Sequence, residues 1–77
     1  MRRTVGMVLK DWRLRKGYSQ LAFIRMAELN VDQSTFSRWE SGSIAITIDQ
    51  LHACCAVLNR QESELIAEAE KRERHDL

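Results

Sequence analysis

A chain of 77 residues makes one small domain, in which every element must contribute to the same core. Hydrophobic residues at 44% beside charged residues at 30% exclude a disordered chain. No apolar run approaches the ~18 residues of a membrane span. The formal net charge of +1 says little about partners, but its distribution says more, with nine basic and five acidic residues through position 60 and three and six after it. A basic body with an acidic final segment directs any anionic ligand to the body.

Proline is absent and glycine numbers only 3, which favours helices joined by brief turns. Met1-Arg2-Arg3 is not followed by the apolar stretch of a signal peptide, so a cytoplasmic protein without a membrane partner is expected. The first helix is expected from about Thr4 to Lys16. Val5, Val8, Leu9 and Trp12 recur there at the three-and-four spacing of an amphipathic helix, and Gly17 stops it. Ser19 is placed to cap a second helix beginning at Gln20, whose apolar stripe of Leu21, Ala22, Phe23, Ile24, Met26 and Ala27 is broad enough for burial on most sides. A turn at Leu29-Asn30-Val31 follows, with Asn30 as the residue suited to a left-handed backbone.

Asp32 is a strong cap for a third helix running from Gln33 to Ser41, which Gly42 ends. That helix carries two faces. Phe36 and Trp39 lie three apart and can anchor it, while Gln33, Ser34, Ser37 and Arg38 present hydrogen-bonding groups on the other side. Ile44-Ala45-Ile46 has strand-like composition but no partner strand, and reads as an apolar loop. Thr47 caps a fourth helix from Ile48 to Leu58, with Gln50 completing a capping box. Asn59-Arg60-Gln61 turns the chain into a last helix from Glu62 to about Arg74. Its first turn is acidic and its last turns basic, and Leu65, Ile66 and Ala69 are its only apolar grip. Past Ala69 the helix either frays or lies against a second copy of the chain.

Cys54 and Cys55 are helix neighbours pointing about 100° apart, so they do not bridge readily. With His52 they supply too few ligands for a metal, and they read as small core residues. No cofactor or metal is expected, and no nucleophile–base pair with an orienting third group emerges, which argues against an enzyme.

Two helices joined by a tight turn, the second with a polar outward face, form the pattern of a DNA-reading helix-turn-helix. Gly17-Tyr18-Ser19-Gln20 followed by Val31-Asp32-Gln33-Ser34-Thr35-Phe36-Ser37-Arg38-Trp39-Glu40-Ser41-Gly42 resembles the Cro/CI repressor-type (XRE-like) family across about residues 5–66. The resemblance implies an all-α, compact five-helix domain, lambda-repressor-like, with helices two and three as the helix-turn-helix. The whole chain would be one DNA-binding domain, with 62–77 its charged C-terminal helix and tail.

The implied activity is sequence-specific binding of double-stranded DNA, most simply by a small homodimeric repressor reading a palindromic operator through the helix 33–41 in the major groove. The alternative is an antitoxin-type or other protein-interaction module on the same fold, with DNA binding secondary. Gln33, Ser34 and Arg38 match base-reading positions, with Ser37 a lesser candidate. Gln20 matches a residue that contacts phosphate and buttresses the reading helix, and Ser41 and Ser43 fall in a phosphate-touching loop. Arg2 and Arg3 would add a mobile basic arm. Arg13 and Glu40 match a buried ion pair, and Leu65, Ile66 and Ala69 are the first choice for the dimer surface. Three features depart from the family pattern. From Gln20 to Trp39 the chain has two extra residues, bulky Ile24 or Met26 occupies the place where the family usually keeps Ala against the reading helix, and Asn59-Arg60 replaces a Gly-Val turn.

Overall fold

Five α-helices follow one another as α1 (Arg2–Arg15), α2 (Gln20–Met26), α3 (Gln33–Ser41), α4 (Ile48–Leu58) and α5 (Glu62–His75) in a computed structural model. The structure describes residues 2–75, and the side chain of Arg2 lies outside that description. The expected boundaries of α3 and α4 coincide with those observed, because both ends of each carry strong caps. Ser19 Oγ accepts from Ala22 N at 3.1 Å, Asp32 Oδ1 from Thr35 N at 2.8 Å and Thr47 Oγ1 from Gln50 N at 3.2 Å. Gln50 returns the Thr47 bond, closing the capping box. Gly42 leaves α3 at φ +81°, a left-handed backbone that glycine adopts without steric cost.

The core takes Val5, Val8, Leu9 and Trp12 from α1, Phe23 and Ile24 from α2, Phe36 and Trp39 from α3, Leu51, Cys54, Cys55 and Leu58 from α4, and Leu65 and Ala69 from α5. A chain of aromatic rings ties α2 to α3. Tyr18 meets Phe23 at 6.3 Å between centroids, Phe23 meets Phe36 at 5.7 Å, and Phe36 meets Trp39 at 5.8 Å, all tilted as ring quadrupoles prefer. Burial pushes the Cys54 thiol up to about 12 and the Cys55 thiol up to about 11, consistent with inert core residues. The apolar segment 44–46 forms a loop, with Ile46 half-buried against the core and Ile44 exposed.

Two expectations are corrected. The left-handed residue between α2 and α3 is Glu28, at φ +53°, and not Asn30; after α2 the N–H of Leu29 returns to Ile24 O at 3.0 Å, a helix-ending bond that places the left-handed residue just before Leu29. The C-terminal part of α5 is also held to its own chain. Arg72 bonds Asp11 at 2.7 Å and Glu68 at 3.0 Å, and Thr4 Oγ1 donates to Glu73 at 2.8 Å, so polar contacts continue where apolar ones end. At the start of α5 the Arg60 guanidinium lies 4.0 Å over the Trp12 ring and bonds Glu64 at 2.9 Å, which gives the Asn59-Arg60 turn its own way of docking the helix.

Gly6 stands where α1 approaches α3 most closely. A Cβ at this position would stand 2.1 Å from Trp39 O and 2.8 Å from Glu40 O, so α1 and α3 touch backbone to backbone there. A glycine inside a helix normally costs about 1 kcal/mol relative to alanine, and here close packing explains its presence.

Gly6→Ala should lower stability by about 1–3 kcal/mol or more, read as a fall in melting temperature of several degrees, because the obstructing atoms are backbone. The backbone N–H of Thr35 holds the Asp32 carboxyl below its ordinary value. The cap therefore stabilises α3 above that ordinary value and loses its contribution as pH falls through the lowered one. Thermal melts across acidic pH should show a smaller loss for Asp32→Asn, which caps without titrating, than for the parent chain.

Candidate nucleic-acid interface

The polar side of α3 is open to solvent. Gln33, Ser34, Ser37 and Arg38 are exposed, while Phe36 and Trp39 on the opposite side are 0% and 4% exposed. One face is thus committed to the core, and the other presents an amide, two hydroxyls and a guanidinium.

Behind this face runs a continuous set of hydrogen bonds. Arg13 on α1 and Glu40 on α3 meet in the core at 4% and 3% exposure. Arg13 Nε donates to Glu40 Oε2 at 2.7 Å and Arg13 Nη2 to Oε1 at 3.1 Å, a bidentate arrangement. Arg13 Nη1 donates to the Tyr18 carbonyl at 2.6 Å, tying in the chain between α1 and α2. Gln20, the first residue of α2, donates from Nε2 to Glu40 Oε1 at 2.9 Å. Its own Oε1 accepts from Gln33 Nε2 at 3.1 Å. A buried charge, a half-buried amide and an exposed amide are linked in sequence from the core to the reading face. No buried side-chain polar atom among the described residues lacks a partner.

The bonds from Glu40 to Gln20 and on to Gln33 were not legible beforehand. Only the family match for Gln20 hinted at them, since Gln20 and Gln33 lie on different helices. Glu40 is turned inward and presents no negative charge on the exposed side of α3.

Ser41 and Ser43 are both exposed at the end of α3. Ser41 Oγ donates to Arg38 O at 3.2 Å, and the two hydroxyls are 2.9 Å apart, so the Ser43 hydroxyl is left to donate to Ser41. Both protons are used internally, and donation to a phosphate requires one of them to turn outward. Arg3 stands in the first turn of α1 and not on a mobile arm: its backbone packs against Gly42, where an added Cβ would lie 2.4 Å from Arg3 Cα. Its side chain remains exposed. The Arg2 side chain lies outside the described residues.

Leu65 and Ala69 are 0% exposed within their own chain and so are unavailable as a surface between copies. Their burial follows from α5 closing the core against α1 and α4. Ile66 is half-buried. His52 is exposed and bonds Glu62 at 3.1 Å, across from α4 to α5. Among the described residues no group of His, Cys, Asp and Glu is arranged to hold a metal, and no helix is long and apolar enough to cross a membrane.

Comparison with known proteins agrees with this geometry. A helix-turn-helix family model matches residues 9–65, well over half of the chain. The fold is similar to the crystal structure of the clp gene regulator ClgR from C. glutamicum, with a TM-score of 0.81 and 21% identity, covering 91% of this chain and 87% of that one. Comparison with curated protein sequences gives no match. The chain belongs to the helix-turn-helix family of the XRE-like kind, with α2 and α3 as its motif. It is a DNA-binding transcriptional regulator and not an enzyme.

The energetic weight of the buried pair can be measured. Arg13→Met and Glu40→Leu should each cost on the order of 3–5 kcal/mol, because each strands the other charge. The double substitution should cost clearly less than the sum of the two, and additive losses in thermal or urea melts would refute the coupling.

Proposed function

We propose that the protein is a sequence-specific transcriptional repressor that binds as a homodimer to a palindromic operator, laying α3 in the major groove of each half-site. The observation that carries this reading is the exposed side of α3, where Gln33, Ser34, Ser37 and Arg38 stand together on a helix anchored by Phe36, Trp39 and the buried Arg13–Glu40 pair. An amide matches the acceptor and donor of adenine and a guanidinium matches the two acceptors of guanine, each worth ~1–3 kcal/mol of discrimination. The serines give shorter-range contacts.

The second amide proton of Gln20 and the hydroxyls at the end of α3 are suited to phosphate oxygens, which fix position without reading sequence. The exposed side chain of Arg3 adds positive charge beside Gly42. One α3 reads too few base pairs for useful selectivity, so pairing of two copies follows from the size of the recognition surface. Of the three α5 residues first considered for that pairing, only Ile66 has exposed surface to contribute.

Selection of bound sites from random DNA should yield a palindrome with half-sites about one helical turn, or 10–10.5 base pairs, apart. Binding to the selected site should exceed binding to scrambled DNA at every salt concentration, while both weaken as salt rises. Arg38→Ala should relax the preference at one position of each half-site by about 1–3 kcal/mol and leave the others intact. An isolated half-site would overturn the dimer, and equal affinity for selected and scrambled DNA would overturn sequence-specific regulation.

A further inference from the structure

We infer that the cavity between the end of α1 and the α4–α5 turn binds a small organic dianion, a dicarboxylate or a phosphate monoester carried on a flat body. The cavity measures about 350 Å³ and is lined by Trp12, Arg15, Lys16, Leu58, Asn59 and Arg60. That volume lies at the low end of the range for small-molecule sites, ~300–1,000 Å³. Three of the six lining residues are cations and none is an acid. Trp12, Arg15 and Lys16 share one side of α1, because residues three and four apart are neighbours on a helix. That side stands about 100° around the helix from Arg13, which faces Glu40 on α3, so the cavity is distinct from the polar face of α3.

Arg60 is already set for an anion. Its guanidinium lies 4.0 Å over the Trp12 ring, and Nε donates to Glu64 Oε2 at 2.9 Å. Glu64 Oε1 accepts from the Gln61 N–H at 3.1 Å, so the carboxylate is itself held in place. Ring and carboxylate together fix the plane of the guanidinium, while both Nη groups make no bond among the described residues. Two N–H groups in a fixed plane match the two oxygens of a carboxylate or phosphate.

The neighbouring cations have no internal use. Arg15 and Lys16 are exposed, and neither side chain makes a hydrogen bond or ion pair among the described residues. Glu68, whose carboxyl Arg15 helps to hold below its ordinary value, is bonded to Arg72 at 3.0 Å. Nor are these cations needed to satisfy helix ends. The carbonyls of Trp12, Arg13 and Leu14 accept from the N–H groups of residues 16–18, and those of Cys55 and Ala56 from Arg60 and Asn59. With Glu64 set against Arg60, Arg15 and Lys16 leave two positive charges unanswered beside the cavity, which a dianion would match. Trp12 and Leu58 supply the apolar part of the lining, against which a flat body can lie, and the exposed Asn59 adds an amide. A concave site with an apolar part favours a discrete molecule over a DNA backbone, which requires only exposed cations.

The test uses phenyl phosphate and phthalate, two fully ionised dianions on flat rings, titrated into the full chain at constant ionic strength. The better-matched probe should bind with a dissociation constant on the order of 1 mM or tighter and raise the melting temperature. Magnetic resonance shifts should centre on the Trp12 indole, Lys16 and residues 58–60, and the relative affinity of the two probes separates a carboxylate ligand from a phosphate ester. The double variant Arg15→Gln with Lys16→Gln should still fold, since both side chains are exposed, and should bind at least about tenfold more weakly. Arg60→Lys keeps the charge and should also weaken binding, because an ammonium group lacks the planar fork. Benzamide, flat and uncharged, should not bind. Inorganic phosphate binding as tightly as phenyl phosphate would identify an adventitious ion only and overturn the inference. Absence of binding by both dianions, or shifts of equal size at Arg3, Arg25 and Arg38, would overturn it as well. A scrambled DNA duplex that displaces the probes and shifts the same residues would assign the three cations to the phosphate backbone and overturn the small-molecule site, leaving base reading by α3 untouched.

Discussion

Two opposite charges in the core of a 77-residue domain are tolerable only if their charged atoms are hydrogen-bonded, since desolvation costs several kcal/mol per ion even after relaxation. Arg13 and Glu40 meet that condition with two bonds to one another, one to the Tyr18 carbonyl and one from Gln20. The pair joins α1, the start of α2 and the end of α3, the three segments whose relative placement defines the helix-turn-helix. A hydrophobic replacement of the same volume could fill the space, but it would not specify direction. Hydrogen bonds to a planar guanidinium and carboxylate do, and they set the rotation of α3 about its own axis as well as its distance from α1.

Close backbone approach works in the same sense. Gly6 lets α1 lie against the carbonyls of Trp39 and Glu40, and Gly42 lets the first turn of α1 pack on the end of α3. Neither contact is strongly attractive by itself. Together they bring α1 near enough for the Arg13 side chain to reach Glu40 without stretching. Gly6 and Arg13 are seven apart on α1, two turns along one face, so the close approach and the charged pair belong to one interface.

Local signals in the sequence accounted well for the elements whose ends they control. Asp32 with Gly42 and Thr47 with Gln50 determine α3 and α4 through bonds within a few residues, and these were legible. The divided character of α3 was equally so, because Phe36 and Trp39 are large and their spacing is helical. Features that depend on distant neighbours were not. Nothing near Glu28 marks it as left-handed, and Asn30 offered a better intrinsic propensity, yet the geometry after α2 placed the strain two residues earlier. Leu65 and Ala69 were identified as apolar, but whether they faced the same chain or another copy depended on how α5 crosses α1. That crossing is set by Arg72, Asp11, Thr4 and Glu73, pairs separated by more than 60 residues. The family resemblance supplied the Arg13–Glu40 pair, which spacing alone did not, and it left unseen the bond that continues from Glu40 to Gln20.

The same ion pairs bear on how the protein would meet DNA. Arg13 and Arg60 are bonded to carboxylates on their own chain, so part of the basic excess of the body is spent on holding helices together. Around the loop after α3, where phosphate contacts are expected, Ile44 and, at the start of α4, Ile48 are exposed, the latter at 74%, beside the exposed side chain of Arg3. A domain that uses part of its positive charge in this way gains less from the sequence-independent part of DNA binding. Its selectivity then rests on contacts whose strength depends on exact donor and acceptor placement. That dependence gives physical weight to an anchored α3: where electrostatic attraction is weak, a reading face that had to be ordered on binding would lose too much of the small margin available.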